Sequence, residues 1–206
     1  MPSVSLSDAY KIRLLNYLQK GKSIAMSFRG WELHEWPLVP STRKNNWLVK
    51  TSNQLEKPRF MIVGFQTNRK NNNKLGASYF DHCNINNLRV YLNSQYYPYN
   101  NFNVDFTKNQ FSILYENYIN FYTSFYNTAS EIHIPMLTKN DFLKEASIFV
   151  VDCSKQNESL KNAPVDVRIE FESEENIPAN TTAYCLIIHD RIIEYNPMSG
   201  DVKKIV

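Results

Sequence analysis

An all-β, antiparallel sandwich with inserted helices is the fold class this sequence predicts, and three observations carry the prediction. The segment Val165-Asp166-Val167-Arg168-Ile169-Glu170-Phe171-Glu172 alternates apolar and charged residues without a break, the signature of a strand with one face in a core and one in water. Strand-like apolar runs recur along the chain, while helical periodicity is confined to three stretches, too few to place a crossover helix between successive parallel strands. The composition suits a packed globule: 43% hydrophobic, with 13 Tyr and 12 Phe beside only 5 Gly, a ring content that a disordered chain does not carry.

The elements follow in order. Residues 7–21 read as a helix, with Ile12, Leu15 and Leu18 at helical spacing and Gly21 where a C′ residue belongs. This gives two parts: an N-terminal helical segment over 1–21 and a single β domain over 22–206. Ser23 to Phe28 approaches period-2 alternation. Trp47–Val49, Phe60–Phe65 and Leu88–Leu92 are further strands, the last two separated by a loop rich in Asn (Asn68, Asn71, Asn72, Asn73). Residues 111–126 break the β pattern, because Ile113, Leu114, Tyr118, Phe121, Tyr122 and Phe125 gather on one broad helix face. A short helix over 138–145 starts after Thr138, with Asp141 near its N-terminus. Strands return at 148–153, 165–172, 182–190 and 192–195. The turn-forming run Asn196 to Asp201 then lets 202–206 pair back as a hairpin arm.

Phe60–Phe65, Ile148–Val151 and Ala183–Ile188 are apolar on both faces. In an antiparallel sandwich such strands need a cover on the outer side, which the helix at 111–126, the helix at 7–21 or a partner protein could supply.

Composition excludes several function classes. With 23 basic and 20 acidic residues and a net charge of +3, bulk electrostatics do not drive nucleic-acid binding. Cys83, Cys153 and Cys185 are odd in number and lack CxxC spacing, so they read as thiols in a reducing compartment, Cys153 and Cys185 as small core residues. Met1 to Asp8 lacks the pattern of a signal peptide and no apolar run approaches a membrane span. An intracellular location, cytoplasm or nucleus, is the expectation, without membrane association. The sequons at Asn157 and Asn180 then read as unused.

Catalytic chemistry finds no constellation. His34, His82, His133 and His189 are scattered and form no HxH pair, which a metal-dependent β-sandwich enzyme requires. Alternation along a strand is taken to keep His34 from converging with Glu32 and Glu35. Asp81-His82-Cys83 suggests a thiolate–imidazole pair, but adjacent residues on an extended chain face opposite ways. His189-Asp190 reads as a polar strand edge, and no glycine-rich phosphate loop or G-x-S-x-G is present. The expectation is no catalytic residue, no cofactor and no metal. The aromatics Trp31, Trp36, Tyr96, Tyr97, Tyr99 and Phe102 could stack on bases or sugars. The stretch 91–106 holds no Lys or Arg, so core or interface packing is the better reading.

The stretches FRGWELHEWPLVP, TSNQLEKPRFMIVGFQTNRKNNN, FDHCNINNLRVYLNSQYYPY, VVDCSKQNESLKNAPVDVRIEFE and ENIPANTTAYCLIIHDRIIEYNP resemble double-jelly-roll capsid-like proteins of polinton-like elements and related large DNA viruses, copies of which occur in insect genomes. The resemblance runs from about Ser23 to the C-terminus and is to the second of the family's two jelly rolls. It implies an eight-stranded antiparallel jelly roll with a helix inserted between late strands, where 111–126 lies, and a structural role in a virion-like shell. The implied partner is a second copy or another jelly-roll chain, as a trimer with pseudo-hexameric outline. Joined to the aromatic face of helix 111–126, it makes Trp31, Trp36, Tyr118, Tyr122 and Phe125 the candidate assembly interface. The alternatives are a lectin-like recognition module and a domesticated host protein derived from a viral capsid.

Overall fold

The computed structural model describes residues 5–49, 58–126, 135–155 and 165–205. His133 and the sequon at Asn157 lie outside the described residues. The elements run α1 (Asp8–Gln19), β1 (Ile24–Trp36), β2 (Lys44–Val49), β3 (Pro58–Thr67), β4 (Ile85–Leu92), β5 (Gln95–Tyr97), α2 (Ser112–Tyr126), α3 (Lys139–Glu145), β6 (Phe149–Asp152), β7 (Val167–Ser173), β8 (Thr181–Tyr195) and β9 (Val202–Lys204).

Two sheets form. One has the order β1-β8-β3-β6, with β9 added to β8, and the other has the order β2-β7-β4-β5. The pairing is nested: β1 lies beside β8, β2 beside β7, β3 beside β6 and β4 beside β5. A chain paired in this way is one long hairpin rolled up, each strand and its partner passing together from sheet to sheet, which is jelly-roll topology. The fold is thus the antiparallel sandwich with inserted helices that the residues imply, with the jelly-roll strand order that the resemblance implies.

By its contacts the chain divides into two compact units, Trp31–His189 and Met1–Gly30 with Asp190–Val206. The larger unit holds the core. Val165, Val167, Ile169 and Phe171 are all buried, while Asp166 is exposed and Arg168, Glu170 and Glu172 are half-buried on the opposite face. Strand β7 sits between β2 and β4, so Ile169 faces Trp47 on one side and Val90 on the other. Trp36 turns inward, its ring 5.8 Å from Trp47 and 6.2 Å from Phe171.

The strands that are apolar on both faces are covered from within the chain. Phe121 of α2 meets Phe60 of β3 edge to face at 5.1 Å. Further along β3, Phe80 lies so close to Gly64 that a Cβ there would stand 2.6 Å from a ring carbon. Glycine is needed at that position for the close approach of a ring, not for its backbone freedom. Thr138 caps α3 by accepting from the Asp141 N–H at 3.2 Å, and its hydroxyl donates back to the Asp141 carboxylate at 2.6 Å. The three helices begin and end within about two residues of their predicted bounds.

The strands extend further than the sequence patterns suggest. β1 continues from the predicted 23–28 through Trp36, and 182–190 and 192–195 are one strand. β5 is an addition, three residues paired with β4 from Val90 to Leu92.

The smaller unit is different in kind. None of its described residues is buried. In it α1 closes at Gly21, with φ 65°, and β9 pairs with Ile193–Tyr195 through a turn with Gly200 at φ 76°, as the hairpin reading of 202–206 requires. Arg29 and Asp190 approach to 3.4 Å.

Two substitutions test this packing. Ile169→Ala, at a side chain with 0% exposure, should lower unfolding free energy in urea by about 2–5 kcal/mol. Gly64→Ala, elsewhere a neutral or favourable change in a strand, should here cost about 1–3 kcal/mol because the Phe80 ring must move.

Candidate functional site

Of the five predicted interface residues the structure joins two. Trp31 on β1 and Phe125 at the end of α2 meet edge to face with centroids 5.5 Å apart, and Phe125 in turn lies 5.4 Å from Phe121. Trp31 remains 56% exposed, and Leu33, two residues along the same strand face, is 65% exposed. Tyr118 stacks at 6.1 Å on Tyr115 and packs at 5.4 Å on Phe142 of α3, against the core. Trp36 belongs to the inner face of β1, and Tyr122 is half-buried. Leu33 was missed. The alternation from Trp31 to Trp36 would have shown it, had the strand been extended past Phe28.

Glu32 and His34 correct an expectation. Residues two apart on a strand share a face, and His34 Nε2 lies 3.7 Å from Glu32 Oε2. Only Glu35 is kept away; it forms an ion pair with Lys70 at 2.5 Å on the other face.

The Asp81-His82-Cys83 run is dispersed among three different sets of partners. Arg69 grips Asp81 with Nη2 donating to Oδ1 at 2.6 Å and Nε donating to Oδ2 at 3.2 Å, and the Thr67 backbone N–H donates to Oδ2 at 2.8 Å. His82 stacks on Phe106 at 4.5 Å and accepts from the Asn84 N–H through Nδ1 at 3.0 Å. Burial lowers its pKa, so the ring is neutral at pH 7 and carries its proton on Nε2. Cys83 Sγ lies 3.6 Å from Thr67 Oγ1, and burial pushes the thiol up to about 11 against the opposing pull of that contact. Nothing here activates a nucleophile. His189 is buried near the middle of β8. Among the described residues no three His, Cys, Asp or Glu side chains group as metal ligands.

The loop that carries this run walls a cleft of about 730 Å³, whose other sides come from Phe106, from Leu143 and Lys144 of α3, and from Glu175, Asn176 and Pro178 ahead of β8. Cys83 and Asn84 stand there in consecutive left-handed conformations, φ 46° and 50°, a strained arrangement held by the surrounding bonds.

On the outer face of the β2-β7-β4-β5 sheet, the structure supplies cations that the stretch 91–106 lacks. Arg168 lies over Tyr91 at 4.1 Å and Arg89 over Tyr96 at 5.3 Å, and the two tyrosine rings are 5.8 Å apart. Carboxylates accompany them: Glu170 is 3.4 Å from Arg168, and Glu172 is 3.0 Å from Lys44. The face is therefore aromatic and charge-balanced, not a basic groove.

The nested strand order now meets a matching comparison. The family model described as double jelly roll-like domain matches residues 1–193. The chain belongs to the double jelly roll-like domain family. Its fold is accordingly of capsid-type, structural kind. No curated protein matches the chain. Among the described residues no helix is long and apolar enough to cross a membrane.

The Cys83 environment gives a direct measurement. A thiol held near 11 in place of 9 has on the order of a hundredfold less thiolate at pH 8. Its reaction with a disulfide reagent at that pH should therefore be slower than that of the unfolded chain by about this factor, accelerating as the pH is raised toward 11.

Proposed function

We propose that this chain is a structural protein that works by protein–protein assembly and carries no catalytic centre. The observation that carries this reading is the apolar surface left outside. In the smaller unit no described residue is buried, and Tyr10, Ile12 and Leu15 of α1 are each more than half exposed. In the larger unit Trp31 and Leu33 stand out from β1 beside Phe125. An exposed tryptophan and leucine on one strand face, with the ring of Phe125 against the tryptophan, favour a partner surface. The double jelly roll-like family supports the same direction, since its fold is a shell-building one.

The partner in this reading is a second copy or another jelly-roll chain, in trimers of pseudo-hexameric outline. Trp31, Leu33 and Phe125 form the centre of the contact, with Tyr122 toward its rim; Trp36 and Tyr118 support it from inside. The setting is a virion-like particle or the cell interior, and a host gene derived from a capsid would use the same surface. Neither a specific nucleic acid nor a membrane is part of the reading.

Sedimentation velocity over a concentration series tests it. The wild type should shift to larger species as concentration rises, and a Trp31→Glu, Leu33→Glu double variant should remain monomeric with unchanged thermal unfolding. A wild type that stays monomeric throughout the series removes the proposal.

A further inference from the structure

The turn ahead of β4 is held by the neutral form of one ring. The Ile85 N–H donates to the His82 carbonyl at 3.0 Å, which closes a β-turn with Cys83 and Asn84 at its centre. Both central residues stand at positive φ, 46° and 50°, a combination that residues other than glycine adopt only under constraint. The constraint is the His82 side chain, whose Nδ1 accepts the Asn84 backbone N–H at 3.0 Å. The flanks are pinned independently. The Asp81 N–H donates to the Phe65 carbonyl at 2.8 Å, and the Glu174 N–H to the Asn84 carbonyl at 3.0 Å. The one group free to reorient without disturbing either sheet is therefore the central peptide, made of the Cys83 carbonyl and the Asn84 N–H.

Protonation of the ring reverses what that peptide meets. An imidazolium carries a hydrogen on both nitrogens and accepts nothing, so two N–H groups would face each other across the bond of 3.0 Å. Turning the central peptide over removes the clash, because it replaces the Asn84 N–H by the Cys83 carbonyl, an acceptor for the new Nδ1 hydrogen. The same rotation takes Asn84 to negative φ and keeps the His82–Ile85 bond, since turns with positive φ at both central residues or at the first alone share that closure. The ring itself need not move: it is stacked on Phe106 at 4.5 Å, and an aromatic face accommodates a cation.

The charges around His82 leave burial to set the pH. Asp81 is its neighbour and is gripped by Arg69 at 2.6 Å. Lys144 of α3 and Glu175 line the same cleft, and the loop that carries Phe106 holds the Asp105–Lys108 pair at 2.7 Å. Cations and carboxylates balance. Burial lowers the His82 pKa from its ordinary 6.5, against the opposing pull of the Asp81 charge and of a bond to the Asn84 side chain. The Nδ1 bond is therefore complete at pH 7 and is lost as the pH falls through the lowered value.

We propose that His82 is a proton-operated latch on the 82–85 turn: neutral, it holds the Cys83–Asn84 peptide by its N–H, and charged, it turns that peptide over and holds it by the Cys83 carbonyl. The latch sets the backbone of a loop that walls the cleft, and it does not depend on the assembly reading.

Nuclear magnetic resonance on the full isotope-labelled chain, titrated from pH 7.5 to pH 4, tests it. At pH 7.5 a scalar coupling across the hydrogen bond should join the Asn84 nitrogen to His82 Nδ1. It should vanish with the midpoint of the ring's own nitrogen shifts, and the Cys83 carbonyl carbon should shift in step. Protection of the Asn84 amide from hydrogen exchange, taken relative to the unfolded chain at the same pH, should fall by about tenfold. In His82→Asn the side-chain oxygen can accept the same N–H without titrating, so protection should persist to pH 4. In His82→Phe it should be absent throughout; if that variant misfolds, the wild type and His82→Asn decide. A ring that stays neutral to pH 4 overturns the proposal, as does a coupling that survives protonation or a Cys83 carbonyl that does not respond. So does a loss of protection in His82→Asn equal to that of the wild type, or unfolding of the whole chain as the ring titrates.

Discussion

The two sheets close on one another through rings, and the rest of the molecule depends on that closure. Phe65 of β3 meets Phe171 of β7 at 5.0 Å, and Trp36 of β1 meets the same Phe171 at 6.2 Å. These contacts join strands from opposite sheets, so they hold the sandwich shut where backbone hydrogen bonds, which run only within a sheet, cannot. Edge-to-face geometry lets large rings fill the gap with few voids. The nested order follows: once β3 and β7 are locked face to face, their hairpin partners β6 and β2 are carried into place beside them.

Closing the core leaves an outer face to be covered. β3 is apolar on both sides, so the chain spends α2 and Phe80 on its outer surface. The cover sits over β3 and β6, and at the β1 end it thins to Phe125 against Trp31. The same packing that finishes the fold thus leaves Trp31 and Leu33 in solvent and places the candidate contact surface at the margin of the cover.

Loops at one end of the sandwich follow a different logic. Arg69 and Asp81 tie the long loop after β3 to itself, and the Asn68 and Asn180 amides bond across loops at 3.1 Å. Left-handed Asn68, Asn71, Asn84 and Asn180 explain why this chain uses Asn where glycine is scarce: Asn tolerates positive φ and still offers hydrogen bonds. The cleft is a consequence of those rigid turns.

The sequence by itself determined the elements. Val165 to Glu172 alternates covalently, so its buried and wet faces could be read without knowing any neighbour, and the ring positions of 111–126 fix a helix face in the same way. Strand identity faded where the pattern was short or interrupted. β5 is three residues long, Arg191 breaks the apolar run of β8, and the inward and outward sides of Trp31 to Trp36 were not followed as one strand. The Glu32–His34 approach was legible in principle, from spacing alone. What only the tertiary structure decided is which distant residues meet. Phe80 lies on Gly64, Arg168 lies over Tyr91, and α3 walls a cleft with Glu175, Asn176 and Pro178; none of these pairs is periodic in sequence. Local periodicity is set by backbone geometry, whereas these contacts are set by how the rolled hairpin brings separate strands and loops together.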